Sequence, residues 1–158
     1  MKWIIAITAC IAMIGIILGL LLKKKNKAKL TAIRPLSTPE QILYFRLAEA
    51  LPDHIVLAQV AFSRFLKASG GSKKENWSKF GTIRQKVADY VICKKDFSIE
   101  AVIELDDSSH NKFNDEKRDE TLKQAGINSI RWNVKNLPNA QQIAVAVGYK
   151  EKENERNK

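Results

Sequence analysis

A chain of 158 residues has room for one ordinary domain, and a continuous apolar run over residues 3–22 takes part of that room. The two cysteines, one inside that run and one far beyond it, exclude an intrachain disulfide framework, and two histidines are too few for a usual zinc site. A formal charge of +10 suits a polyanionic partner, either nucleic acid or the anionic inner leaflet of a membrane.

The run over residues 3–22 carries no charge and as a helix spans about 30 Å, the thickness of a bilayer's hydrocarbon core, so it reads as a transmembrane anchor. It is longer than the apolar segment of a cleaved secretory signal and no small-x-small site closes it. "ITAC", ending at Cys10, is similar to a lipoprotein box, but the residues after it stay apolar where a matured lipoprotein turns polar. A basic linker over residues 23–35 follows, with Lys23, Lys24, Lys25, Lys27 and Lys29, against Lys2 alone before the run. That asymmetry predicts a single-pass protein of the cytoplasmic (inner) membrane with its C-terminal part in the cytoplasm, and it sets these lysines beside anionic lipid.

From residue 36 to 149 the pattern is that of one domain. "STPEQILYFRLAEAL" predicts a helix with Thr38 as N-cap, Pro39 at the first helical position and Gln41 closing the capping box; Ile42, Leu43, Phe45, Leu47 and Leu51 form its apolar stripe. "HIVLAQVAF" predicts a strand, followed by a short helical turn at "SRFLKAS" and a loose loop through "GGSKKENWSKFG". "KVADYVIC", "IEAVIEL" and "INSIRWN" are three further strands, the first two joined as a hairpin by "KKDFS". A helix at "NKFNDEKRDETLKQAG", closed by Gly126, separates the second and third, and "NAQQIAVAVGYK" makes a last helix. The charged tail over residues 150–158 has no apolar content and frays. The order helix, three strands, helix, strand implies a layered α/β domain with a mixed central sheet.

Acids stand out in such buried strands. Side chains alternate faces along a strand, so Glu104 and Asp106 share a face with Val102, and Asp89 shares one with Val87, Val91 and Cys93. A hairpin loop over residues 94–98 sets Asp89 opposite a residue close to 102 or 103, one diagonal from Glu104. Clustered carboxylates in an apolar strand pair are unfavourable unless neutralised, and a hard divalent cation does that. Magnesium suits, because it keeps several waters and takes one or two protein carboxylates. Each acid also has a structural reading: Glu40 complements the dipole of its helix, Asp89 lies on an edge strand, Glu104 pairs with a core Arg or Lys, and Asp106 and Asp107 cap a turn. His110 is a loop residue or an acid–base group, and His54 is structural.

The ordered set of Glu40 on a first helix, Asp89 on a strand and Glu104, Leu105 and Asp106 on the next, then a helix and a strand, resembles the restriction-endonuclease-like PD-(D/E)XK superfamily. Within it, "ADYVIC" with "VIELDDSSH", followed by Arg118, Asp119, Leu122 and "AGI", closely resembles domain-of-unknown-function family 2726. It is also similar to relatives of the very-short-patch-repair endonucleases that carry E-x-D-G-x-x-H. The resemblance covers roughly residues 36 to 137 and implies a restriction-endonuclease-like αβββαβ core. The implied activity is Mg²⁺-dependent (or Mn²⁺-dependent) hydrolysis of a phosphodiester in nucleic acid, DNA in the first place. The implied metal ligands are Asp89, Glu104 and Asp106, with Glu40 assisting through a water or as a weak ligand, and Lys86, Arg118 and Lys123 meeting phosphate. One position departs from the superfamily pattern: its lysine two residues after the strand Glu is Asp106 here. Three explanations stand: Asp106 adds a ligand while His110 serves as acid or base, the lysine's role has moved to Lys86 or Lys123, or catalysis is lost and the domain binds nucleic acid or a protein partner at the membrane.

Overall fold

The computed structural model describes residues 1–21, 28–106 and 112–149; Asp107, His110, the lysines at 23, 24, 25 and 27, and the tail lie outside the described residues. The chain divides into two compact units, Met1–Ile33 and Arg34–Lys158. The first holds α1 (Lys2–Leu21), whose window Lys2–Gly19 has a mean hydropathy of 2.2 and is long and apolar enough to cross a membrane.

The second unit is a mixed α/β domain. Its first helix, α2 (Thr38–Ala50), is capped by Ser37, one residue earlier than the T-x-x-Q reading places the cap. Ser37 has extended backbone, and Glu40, third in the helix, returns its Oε2 to the Ser37 N–H at 2.5 Å. Gln41 instead donates to the Leu36 carbonyl at 2.8 Å. A carboxylate accepts that orphan N–H more strongly than an amide and also complements the helix dipole, so S-x-x-E wins over T-x-x-Q. Leu43, Leu47 and Leu51, spaced four apart, are the buried stripe, whereas Ile42 and Phe45 lie 42% and 68% exposed on the outer side.

Next come β1 (Ile55–Ala61), a 3₁₀ turn over Phe62–Arg64, and α3 (Lys73–Ile83). The segment containing α3 reads as a loop in the sequence because only Phe80 and Ile83 give it an apolar side. What starts the helix is a capping box: Glu75 Oε2 accepts from the Ser72 N–H at 2.8 Å and the Ser72 Oγ accepts from the Glu75 N–H at 3.3 Å. The hairpin strands β2 (Val87–Cys93) and β3 (Ile99–Asp106), then α4 (Lys112–Gln124), β4 (Asn128–Asn133) and α5 (Ala140–Val147), complete the order.

The sheet runs β1-β2-β3-β4, antiparallel across its first two pairs and parallel between β3 and β4, which α4 connects. Its inner strands are buried on both faces, which explains their near-continuous apolar sequence. Tyr90, Ile92, Ile103 and Leu105 pack with α2 and α5 on one face; Val91, Cys93 and Val102 pack with Phe62, Ile83 and Leu122 on the other. Because this unit owns both cores, a fragment beginning at Arg34 is expected to be soluble and to unfold cooperatively in urea, with an α/β circular dichroism spectrum. An unstructured fragment would show that the domain depends on residues 1–33.

Candidate functional site

The register of the sheet puts four polar residues in one row across it. The last paired residues of β2 and β3 are Tyr90 and Ile103, and one step on stand Asp89 and Glu104. On the outer sides, Gln59 falls between the paired Ala58 and Val60 of β1, and Arg131 of β4 pairs with Glu104. A bulge creates this alignment. Cys93 pairs with Ile99 but Ile92 with Ala101, so Glu100 is an extra residue that moves the position opposite Asp89 from 103 to 104. Asp89 and Glu104 are therefore in line rather than one diagonal apart, on the face of the sheet that α4 covers.

Between β2 and β3 the backbone ladder gives way here to a side chain. Asp89 Oδ2 accepts a hydrogen bond from the Leu105 N–H at 2.8 Å, which holds its carboxylate against β3. Glu104 is 1% exposed. Its Oε2 accepts from Arg118 NH1 at 2.7 Å, and its buried Oε1 has no hydrogen-bond partner among the described residues. Burial pushes the Glu104 carboxyl up to about 8. Asp89 adds to the rise, and Arg118 and Arg131 oppose it without cancelling it. Arg118 is fixed in turn, with its guanidinium carbon 5.7 Å from the centre of the Phe62 ring.

The other candidate residues are held elsewhere. Glu40, on the α2 side of the sheet, gives Oε2 to Ser37 and accepts from Gln59 Nε2 through Oε1 at 2.7 Å, and its backbone carbonyl accepts from the Tyr90 hydroxyl. Gln59 reaches it from a left-handed backbone, φ 53°, a conformation costing about 1–2 kcal/mol for a residue with a Cβ. Burial, Glu40 and Asp89 together raise the pKa of Tyr90 well above the ordinary tyrosine value, which puts both acids within its field. Asp106 Oδ1 accepts from Arg131 NH1 at 2.7 Å, and Arg131 Nε donates to both oxygens of Asp119 at 3.1 and 2.9 Å. Ser129 Oγ donates to Asp119 Oδ1 at 3.0 Å. Burial lowers the pKa of Lys86, and the charges of Arg118, Lys117 and Lys79 lower it further. Lys123 is exposed on α4, near Glu116 and Glu120.

The three-carboxylate set is thus not assembled: among the described residues no group of three His, Cys, Asp or Glu side chains is placed to hold one metal. Asp89 and Glu104 stand side by side, and the buried Glu104 Oε1 is an acceptor without a partner among the described residues. The residue that sequence reasoning missed is Arg131. Its signal is a lone cation inside the strand "INSIRWN", which needs an anion on the neighbouring strand.

No curated protein and no solved structure matches the chain. One family model does, over residues 34–151, the whole of the α/β domain and its row of charged side chains. The chain therefore belongs to the family described as "Protein of unknown function (DUF2726)".

Proposed function

We propose that this protein is a membrane-anchored, cytoplasm-facing nuclease with a restriction-endonuclease-like PD-(D/E)XK core that hydrolyses phosphodiester bonds of nucleic acid with Mg²⁺ or Mn²⁺ at Asp89 and Glu104. The observation that carries this reading is the carboxylate pair on adjacent strands, Asp89 half-buried and Glu104 buried, with Glu104 Oε1 left without a partner among the described residues. The order of α2, the three antiparallel strands, α4 and the parallel strand β4 supports the fold assignment, and the apolar α1 with the lysines that follow it supports the anchor and its orientation. A bound divalent ion supplies a Lewis acid for the scissile phosphate and a water of lowered pKa. The chain's part is to hold the Asp89 carboxylate against β3 beside Glu104, and to set Arg118 and Lys86 where phosphate oxygens arrive.

A second reading has its own support: Arg118 neutralises Glu104, and Arg131 neutralises Asp106 at the position of the superfamily's lysine. Such a domain binds nucleic acid or a partner at the membrane without cutting. The two are separated by incubating the full chain, in detergent micelles, with single- and double-stranded DNA and RNA. The nuclease reading expects cleavage with Mg²⁺ or Mn²⁺, its loss in EDTA, and background rates in Asp89→Ala and Glu104→Ala proteins that keep their fold. Absence of cleavage together with no calorimetric binding of Mn²⁺ supports the non-catalytic reading.

A further inference from the structure

Outside the carboxylate row, the most unusual side chain of the domain is Trp77. It stands 70% exposed in the middle of α3. Its ring lies 6.1 Å from that of Phe80, tilted by 32°, and Phe80 packs in turn against the core beneath the helix. The indole is therefore an exposed flat surface with a braced back. Lys73 and Lys74 lie four and three residues before it, on the same side of the helix. The one acid of α3, Glu75, is turned to the helix start, where Ser72 occupies its carboxylate.

The other flank of α3 faces α4. Lys79 donates to Gln124 Oε1 at 2.9 Å, and the cleft between the two helices is lined by Lys79, Lys86 and Lys117 with Glu116 and Glu120. Lys79, Lys117 and Arg118 all act on half-buried Lys86. Such gathering of like charge is unfavourable alone and becomes favourable around an anion. Both helices pack on the sheet face that carries Asp89 and Glu104.

We infer that α3 is a docking helix for single-stranded nucleic acid: Trp77 stacks on an unpaired base, and the lysines of α3 and of the α3–α4 cleft hold the flanking phosphates. The inference rests on the nuclease reading for its ligand class and names the form of nucleic acid that reaches the carboxylate pair. An exposed indole is of little use to a duplex, whose base faces are already stacked, but contributes strongly to a strand whose bases are free. Tryptophan with lysines also suits a membrane surface. The lysines of the cleft, on the sheet face that carries Asp89 and Glu104, favour the nucleic acid.

The test uses the full chain in neutral detergent micelles with EDTA present, so that binding is read without cleavage. Fluorescence anisotropy follows a labelled oligo-dT of about 15 nucleotides, long enough for one binding site, and a duplex of the same length. The Trp77→Ala protein is expected to bind oligo-dT at least about fivefold more weakly, with duplex binding nearly unchanged, and Trp77→Phe to recover most of the loss. Replacing Lys79 and Lys117 by alanine is expected to weaken both ligands and to lower the salt dependence by about 0.7 per lost single-strand phosphate contact. Oligo-dT binding unchanged in Trp77→Ala overturns the proposal, as does a loss shared equally by duplex and single strand. It is also overturned if Trp77→Ala releases the Arg34–Lys158 unit from anionic phosphatidylglycerol vesicles while leaving oligo-dT binding intact. A protein that never cuts but binds oligo-dT through Trp77 counts against the nuclease reading alone.

Discussion

Replacing Arg118 by alanine is expected to cost the domain about 2–3 kcal/mol at about pH 9, among the largest effects open to a single side chain here. Glu104 is 1% exposed and has Arg118 as its ion-pair partner at 2.7 Å, so the substitution leaves a buried carboxylate with neither water nor cation at Oε2. The loss should shrink as pH falls. Below about pH 8 Glu104 holds its proton with or without Arg118, and what is lost is a hydrogen bond and the contact with Phe62, about 1–2 kcal/mol; above it only the native carboxyl, held lower by Arg118, is free to ionise. Urea titrations of the fragment from Arg34 at about pH 6 and about pH 9 measure the difference. Equal losses at the two pH values would mean that the buried charge of Glu104 is not their source.

The second large effect concerns Glu104 itself. Its carboxyl is raised from 4.5 to about 8 by burial, so between these values the folded protein binds a proton that the unfolded chain has released. Stability from this group is therefore full below about pH 4.5, declines as pH rises towards about 8 and is flat above it. The slope is at most about 1.4 kcal/mol per pH unit, the value for one proton. Glu104→Gln keeps the shape and removes the titration, so its stability advantage over the native protein should grow through that window and level off above it. Parallel curves for the two proteins would show that Glu104 is not raised. A variant weaker at every pH would show that Arg118 requires the charge.

Much of this architecture is legible in the amino acids, and the exceptions have physical causes. β2 and β3 announce themselves because strands buried on both faces are almost continuously apolar, and that background makes Asp89 and Glu104 visible as a pair. Their alignment is not legible, because it depends on the extra residue at Glu100, and nothing in "SIEAVIEL" distinguishes a bulged from a regular strand. α3 escapes notice because most of its residues face outward and only the Ser72–Glu75 box marks it. The cap of α2 is misplaced by one residue because S-x-x-E and T-x-x-Q overlap there. That Glu104 pairs with a core cation can be foreseen; that the cation is Arg118 cannot, since the pairing depends on how α4 is laid across the sheet.

The parallel joining of β3 to β4 also bears on how the chain survives its own synthesis. The strands β1, β2 and β3 form a meander of near neighbours and can pair as soon as they emerge, while β4 must wait for α4 to cross. During that interval the far side of β3 is an open strand edge of the sequence "IEAVIELD", apolar enough to recruit the same segment of another nascent chain. Two of its three acids, Glu104 and Asp106, guard it. The cationic partners of Glu104 and Asp106, Arg118 and Arg131, lie on the two elements made later. Until those arrive, the two acids put negative charge on that edge, which disfavours pairing between copies.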